Sequence, residues 1–145
     1  MTLTKKSLAT GLLASACLVA GAADDSPLIA ERWHTRPLVV VAPSAEHPLL
    51  TSLQAQLRQP EMHDAFKERE MVLFTVVGDQ GHRDGKPLSA AQTRSLKSAL
   101  KLKLSSPATV FLVGKDGGIK LSERSDQVSL EAVFALIDTM PMRQR

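Results

Sequence analysis

The sequence is constrained most by Leu38-Val39-Val40-Val41-Ala42, an unbroken apolar run followed by Pro43 and then Pro48. Apolar and β-branched residues without alternation are the pattern of a strand covered on both faces. Pro48 suits the first turn of a helix, where its missing N–H costs nothing. Leu49, Leu50, Leu53 and Leu57 then recur at helical spacing and predict a helix over 48–59. A buried strand therefore runs into a helix N-terminus, where free backbone N–H groups favour a binding or reactive site. That junction reads Pro43-Ser44-Ala45-Glu46-His47-Pro48.

The rest of the chain supplies what such a strand needs on either side. Pro60 ends the first helix or opens a new turn, and Met62, Ala65 and Phe66 predict a short helical piece ending near Glu70. Met71 to Val77 is a second buried strand. Gly78 to Pro87, with three glycines and a proline, reads as a loop. Ser89 and Gln92 form a capping box for a helix expected to run to about Leu102. Thr109 to Val113 is a third strand, Lys115-Asp116-Gly117-Gly118 a hairpin turn, and Ile119 to Leu121 a fourth strand. Ser129 caps a last helix over 130–138, and Pro141 stops it. The order β-α-β-α-β-β-α implies a three-layer α/β/α sandwich around a mixed sheet of about four strands. The first two crossovers are expected to make parallel neighbours, and the hairpin an antiparallel edge.

The N-terminus carries the marks of export. Lys5 and Lys6 precede the apolar stretch 8–19, and Ala20-Gly21-Ala22 supplies small residues for cleavage. The stretch falls short of the roughly 20 residues a membrane span needs. Residues 1–22 are read as a signal peptide, 23–36 as a polar lead-in, 37–140 as the domain and 141–145 as a tail. A lipid anchor at Cys17, after Ala14-Ser15-Ala16, is the minor alternative to a periplasmic or secreted chain. Losing residues 1–22 removes Lys5, Lys6 and the one cysteine, and leaves 16 basic against 15 acidic residues, a net charge of +1. The calculated pI of 9.2 thus owes much to the leader and does not mark a nucleic-acid binder.

The element order, the entry from Val39-Val40-Val41-Ala42-Pro43 into the first helix, and Ser106-Pro107-Ala108-Thr109-Val110-Phe111-Leu112 before the hairpin resemble the thioredoxin fold. The resemblance implies a cis bond at Ser106–Pro107 and places Ser44 to His47 where that fold carries Cys-x-x-Cys. Leu38 to Pro48, Val110 to Gly118 and Leu136-Ile137-Asp138-Thr139-Met140-Pro141-Met142-Arg143-Gln144 resemble more closely a bacterial exported family known as domain of unknown function 4174, thioredoxin-like or peroxiredoxin-like. That family implies fold and export and transfers no catalytic residue.

Thiolate exchange needs a thiol, so neither disulfide exchange nor peroxidase chemistry is expected of the mature chain. Ser44 and His47 are close enough in sequence to touch at a helix start, but Glu46 points away from its neighbour and no orienting group is evident. Capping of the helix by Ser44 or Glu46 is the plainer reading. The expected binding cleft comprises Pro43, Ser44, Glu46, His47, Ser106 and Pro107. Arg94, Lys97 and Lys101 fall on one helix face, an ordinary solvated face or a docking surface for an acidic partner or anionic lipid headgroups. Trp33 is expected to pack over one end of the core. His34, His47, His63 and His82 are not at ligand spacing, so neither a metal nor any other cofactor is expected. The reading is a monomeric exported binding module, with a small ligand or an envelope protein as partner. A non-thiol enzyme using Ser44 and His47, or an accessory of an envelope redox system, are the alternatives.

Export of the full-length chain should release a product beginning at Ala23 or Asp24, free of titratable thiol. N-terminal sequencing and mass spectrometry read this directly, and a product retaining Cys17 with a lipid adduct would select the anchored form.

Overall fold

The computed structural model describes residues 26–103 and 106–143. The leader 1–22, its cleavage site, Cys17, and the tail residues Gln144 and Arg145 lie outside the described residues.

Eleven elements follow in order: α1 (Pro27–Glu31), β1 (Arg36–Ala42), α2 (Pro48–Leu57), α3 (Pro60–Glu68), β2 (Met71–Val77), β3 (Gln80–Arg83), β4 (Lys86–Pro87), α4 (Ala90–Ala99), β5 (Thr109–Val113), β6 (Ile119–Arg124) and α5 (Leu130–Asp138). They form one mixed sheet in the order β4-β3-β2-β1-β5-β6. Every residue of β1 is buried. Leu38, Val40 and Ala42 face a core shared with Leu49 and Leu53 of α2, Phe66 of α3 and Val133 and Ile137 of α5. Val39 and Val41 face the opposite core, with Phe74, Val76 and Phe111 of the sheet and Leu96 and Leu100 of the α4 segment. At roughly 1.5–3 kcal/mol per fully buried aliphatic side chain, these two faces supply a large share of the folding drive.

The sheet has six strands, not four. The expected loop Gly78–Pro87 is an antiparallel meander. Gly78, at φ 57°, opens the two-residue turn between Val77 and Gln80. Asp84 and Gly85, at φ 48° and 80°, are both left-handed, as a type I′ hairpin turn requires. Asp84 completes it by accepting from the Leu73 N–H at 3.0 Å. The added strands are short and partly exposed, so apolar patterning does not announce them.

The second crossover also differs from expectation. β1 and β2 are parallel, but β5 runs antiparallel to β1, with Leu38 opposite Leu112 and Val41 opposite Thr109. The cause is where α4 ends. Lys97 in its last turn reaches the Gly78 carbonyl at 3.1 Å, beside the end of β2. The chain is therefore delivered to the edge at which β1 and β2 finish, and β5 can only run back. α4 stops at Ala99 rather than Leu102 because Lys101 takes a left-handed φ of 55°. Leu102 N–H to Lys97 O at 2.8 Å and Lys101 N–H to Ser98 O at 3.0 Å close the helix as a Schellman motif.

The Ser106–Pro107 bond is trans, since no peptide bond among the described residues is cis. Trans is the default X–Pro geometry. The connection is already closed by Ser106 N–H to Lys103 O at 3.1 Å and by the Thr109 hydroxyl donating to Pro107 O at 2.8 Å. Trp33 does not cover the core but is 63% exposed, at φ 68°, in the turn from α1 to β1. The lead-in is instead anchored by Leu28, packed on the second core, and by Glu31. Glu31 accepts from Arg83 Nε at 2.6 Å and from the Thr35 hydroxyl at 2.5 Å. On the other face, the Gln56 side-chain amide joins α2 to α5. It donates to Val128 O at 2.6 Å and accepts from Leu130 N–H at 3.0 Å.

Burial alone would raise the Glu31 carboxyl, but the hydrogen bonds from Arg83 and Thr35 outweigh it and hold the group below the usual carboxylate range. Glu70, through Lys115, and Asp116, chiefly through the Gly118 N–H, are held low as well. Groups depressed in the folded state contribute stability that is complete above their ordinary values and lost as pH falls through the folded ones. The melting temperature should therefore be flat near neutrality and drop below about pH 4. Glu31→Gln should remove part of that acid limb, and an unchanged pH profile in this variant would refute the assignment.

Candidate functional site

The junction predicted from sequence lies where β1 and β2 end. Pro43, Ser106 and Pro107 come together there and, with Val41, Ala42 and Leu102, line a cleft of about 370 Å³. Val76, Gly78, Lys97 and Lys103 complete its lining. The sequence shows Lys103 as one more cation of a basic stretch and does not place it at the cleft. That lysine lies beyond the helix, and only the turn closed by the Ser106 hydroxyl, accepting from Lys103 N–H at 2.8 Å, brings it to the cleft.

Ser44, Glu46 and His47 do not line this cleft. Ser44 and Glu46 are exposed, and neither makes a side-chain hydrogen bond or ion pair among the described residues. His47, not Ser44 or Glu46, caps α2. Its Nδ1 accepts from the Leu49 N–H at 3.2 Å. Its Nε2 faces Asp126 at 3.5 Å. Neither ring nitrogen hydrogen-bonds the Ser44 hydroxyl, and the bond that joins the two residues is the backbone one, His47 N–H to Ser44 O at 3.3 Å. A serine nucleophile needs a base within hydrogen-bond reach and an orienting partner behind that base. His47 has an acid partner, but the nitrogen that would take a proton from serine is occupied by a backbone donor.

The basic face is divided by the fold. Arg94 is exposed on α4, Lys97 is folded onto the Gly78 carbonyl and Asp79 (3.2 Å), and Lys101 lies beyond the helix end. Lys97 thus belongs to both the basic face and the cleft. Among the described residues no three His, Cys, Asp or Glu side chains converge as metal ligands, and no helix is long and apolar enough to cross a membrane. The four histidines are scattered, His34 in the turn after α1, His47 at the α2 cap, His63 on α3 and His82 on β3.

The parallel β1–β2 pair, the antiparallel β5–β6 hairpin and helices on both faces define a thioredoxin-like fold. A solved structure shares it. The reduced 2-Cys peroxiredoxin of Plasmodium vivax superposes with a TM-score of 0.55 over 81% of this chain and 83% of that one, at 14% identity. The chain belongs to the family described as Domain of unknown function (DUF4174), which matches residues 27–145. No curated protein sequence matches the chain.

His47→Ala should lower stability by about 1 kcal/mol through the lost cap, and His47→Asn, whose side chain caps well, should restore most of it. Chemical denaturation of the three forms measures this. Equal stability of all three would show that the His47 to Leu49 bond contributes nothing.

Proposed function

We propose that the chain is an exported binding module that uses a thioredoxin-like fold without thiol chemistry and takes its partner at the β1–β2 end of the sheet. One observation carries the reading. β1 delivers the chain to the N-terminus of α2, and the residues delivered there are Ser44, Ala45, Glu46 and His47. Disulfide exchange proceeds by thiolate attack on sulfur, and serine has no corresponding oxidised state. The one cysteine, Cys17, belongs to the leader in this reading. His47 is committed to capping.

What this end offers is a shaped surface. Val41, Ala42, Pro43 and Pro107 give the cleft an apolar floor, and Lys97 and Lys103 give it positive charge. Lys97 already holds Asp79, so a partner carboxylate can take over a contact the fold has prepared. The partner this suits is a protein segment that pairs an acidic residue with an apolar one, presented by another envelope protein. The leader, with its charge, apolar run and small residues in order, supports export.

Purified residues 23–145 should reduce disulfide substrates at background rates only. Chemical cross-linking in the envelope should capture a partner, and Lys97→Glu with Lys103→Glu should cut that yield by roughly tenfold while Lys86→Glu leaves it unchanged. Disulfide turnover would overturn the non-redox reading. Capture indifferent to the double reversal would remove the cleft as the docking site.

A further inference from the structure

At the opposite end of β1, about 20 Å from the cleft along the strand, lies a larger pocket of about 480 Å³. Two of the three stretches that carry the family resemblance meet around it, through Gly114 to Asp116 and through Leu136 and Thr139 to Met142. Leu136, Met140, Pro141 and Met142 form an apolar wall, and Arg36, Lys115 and Lys120 bring cationic groups. Arg36 is the notable member. It is 2% exposed, opens the central strand, and makes one side-chain hydrogen bond among the described residues, from Nη1 to Arg69 O at 2.8 Å. A guanidinium carries five donors in a fixed fork. Its nearest carboxylate, Glu70, stands 3.7 Å from Nη1 on a side chain that is 56% exposed, and is shared with Lys115. Lys120 is paired with Asp116 at 2.9 Å.

Around the pocket five cations, Arg36, Arg69, Lys115, Lys120 and Arg143, stand against four carboxylates, Glu68, Glu70, Asp116 and Asp138. One positive charge is left over, and the guanidinium of Arg36 is itself withdrawn from solvent. A buried charge without full compensation is costly. A monoanion balances this pocket, whereas a dianion overfills it. A carboxylate matches the planar guanidinium fork in a two-point contact. The volume left over and the wall of leucine, methionine and proline side chains suit an apolar body attached to that head.

We infer that this pocket binds a monocarboxylic acid with an aliphatic body, its head on Arg36 and Lys120 and its chain along Leu136, Met140, Pro141 and Met142. The site is independent of the cleft at Pro43 and Pro107, and it needs no reaction.

The probe is octanoate, titrated into residues 23–145 with calorimetry and with NMR of the methionine methyl groups. Saturable binding with a Kd below about 1 mM is expected, with shifts at Met140 and Met142. Octanol, which has the body without the charge, and inorganic phosphate, which has charge without the body, should each bind at least about tenfold more weakly. Lys120→Glu should weaken octanoate about tenfold or more, and so should Met142→Glu, which places a like charge at the exposed rim and leaves the core untouched. Arg36→Lys keeps the charge and loses the fork. If that variant unfolds, the two surface variants still decide. Phosphate binding as tightly as octanoate would overturn the inference in favour of a plain anion site. Octanol binding equally would reduce the pocket to an apolar groove. Absence of saturation, or shifts confined to Met62 and Met71, would refute it, and neither result would bear on the cleft as a partner site.

Discussion

The rest of the structure depends on the two-sided burial of β1. A strand with both faces apolar must be covered twice, and its backbone must be paired on both edges. β2 and β5 take the two edges. α2, α3 and α5 cover one face, while α4 and the lead-in with Leu28 cover the other. Nothing is then left of β1 except its ends. One end feeds the α2 cap, the other begins with Arg36, and both pockets considered above lie at those two points. The location of possible function is a consequence of how completely the middle of the strand is used.

The two ends are held differently. The β1–β2 end is closed mainly by backbone-directed contacts, a histidine cap and a Schellman turn, with the single lysine pair of Lys97 and Asp79 beside them. The Arg36 end is closed by charge. Arg69 makes a two-point pair with Asp138 at 2.8 and 3.0 Å and lies over the Phe134 ring at 4.5 Å, which ties α3 to α5. Arg143 joins Asp138 and Glu68. Burial lowers the Arg36 guanidinium from its ordinary value, and Glu70 offsets only part of that. Such a network ties together helix ends that the apolar core does not reach.

Much of this was legible in the residues. β1, β2, α2, α5 and the capping box of α4 each carry a strong period or an unambiguous signal. What was missed has particular causes. Asp84-Gly85 is a hairpin signal, but the strands beside it, Gln80–Arg83 and Lys86–Pro87, are polar and short, and composition made them look like loop. The direction of β5 is not written in Thr109–Val113, because a strand buried on both faces looks the same run either way. It depends on where α4 releases the chain. The size of Trp33 argues for an inside position, yet large apolar residues are also found on surfaces. Sequence favours Ser44 or Glu46 as the cap because histidine is not among the common capping residues. Arg36 drew no notice, since a charge before an apolar run usually marks a strand's solvated start. Its burial is a matter of tertiary structure alone.

The sheet also has two outer strands. A long flat outer strand is an open template on which a second chain can build. Here one border is β4, only Lys86 and Pro87, where the proline has no N–H to offer. The other is β6, which exposes Ile119 but also Lys120, Ser122, Glu123 and Arg124 to solvent. Neither border invites another copy to extend the sheet. Growth of the sheet from either border is thereby disfavoured, which leaves the side chains at the tips of the strands as the surfaces that the fold shapes most closely.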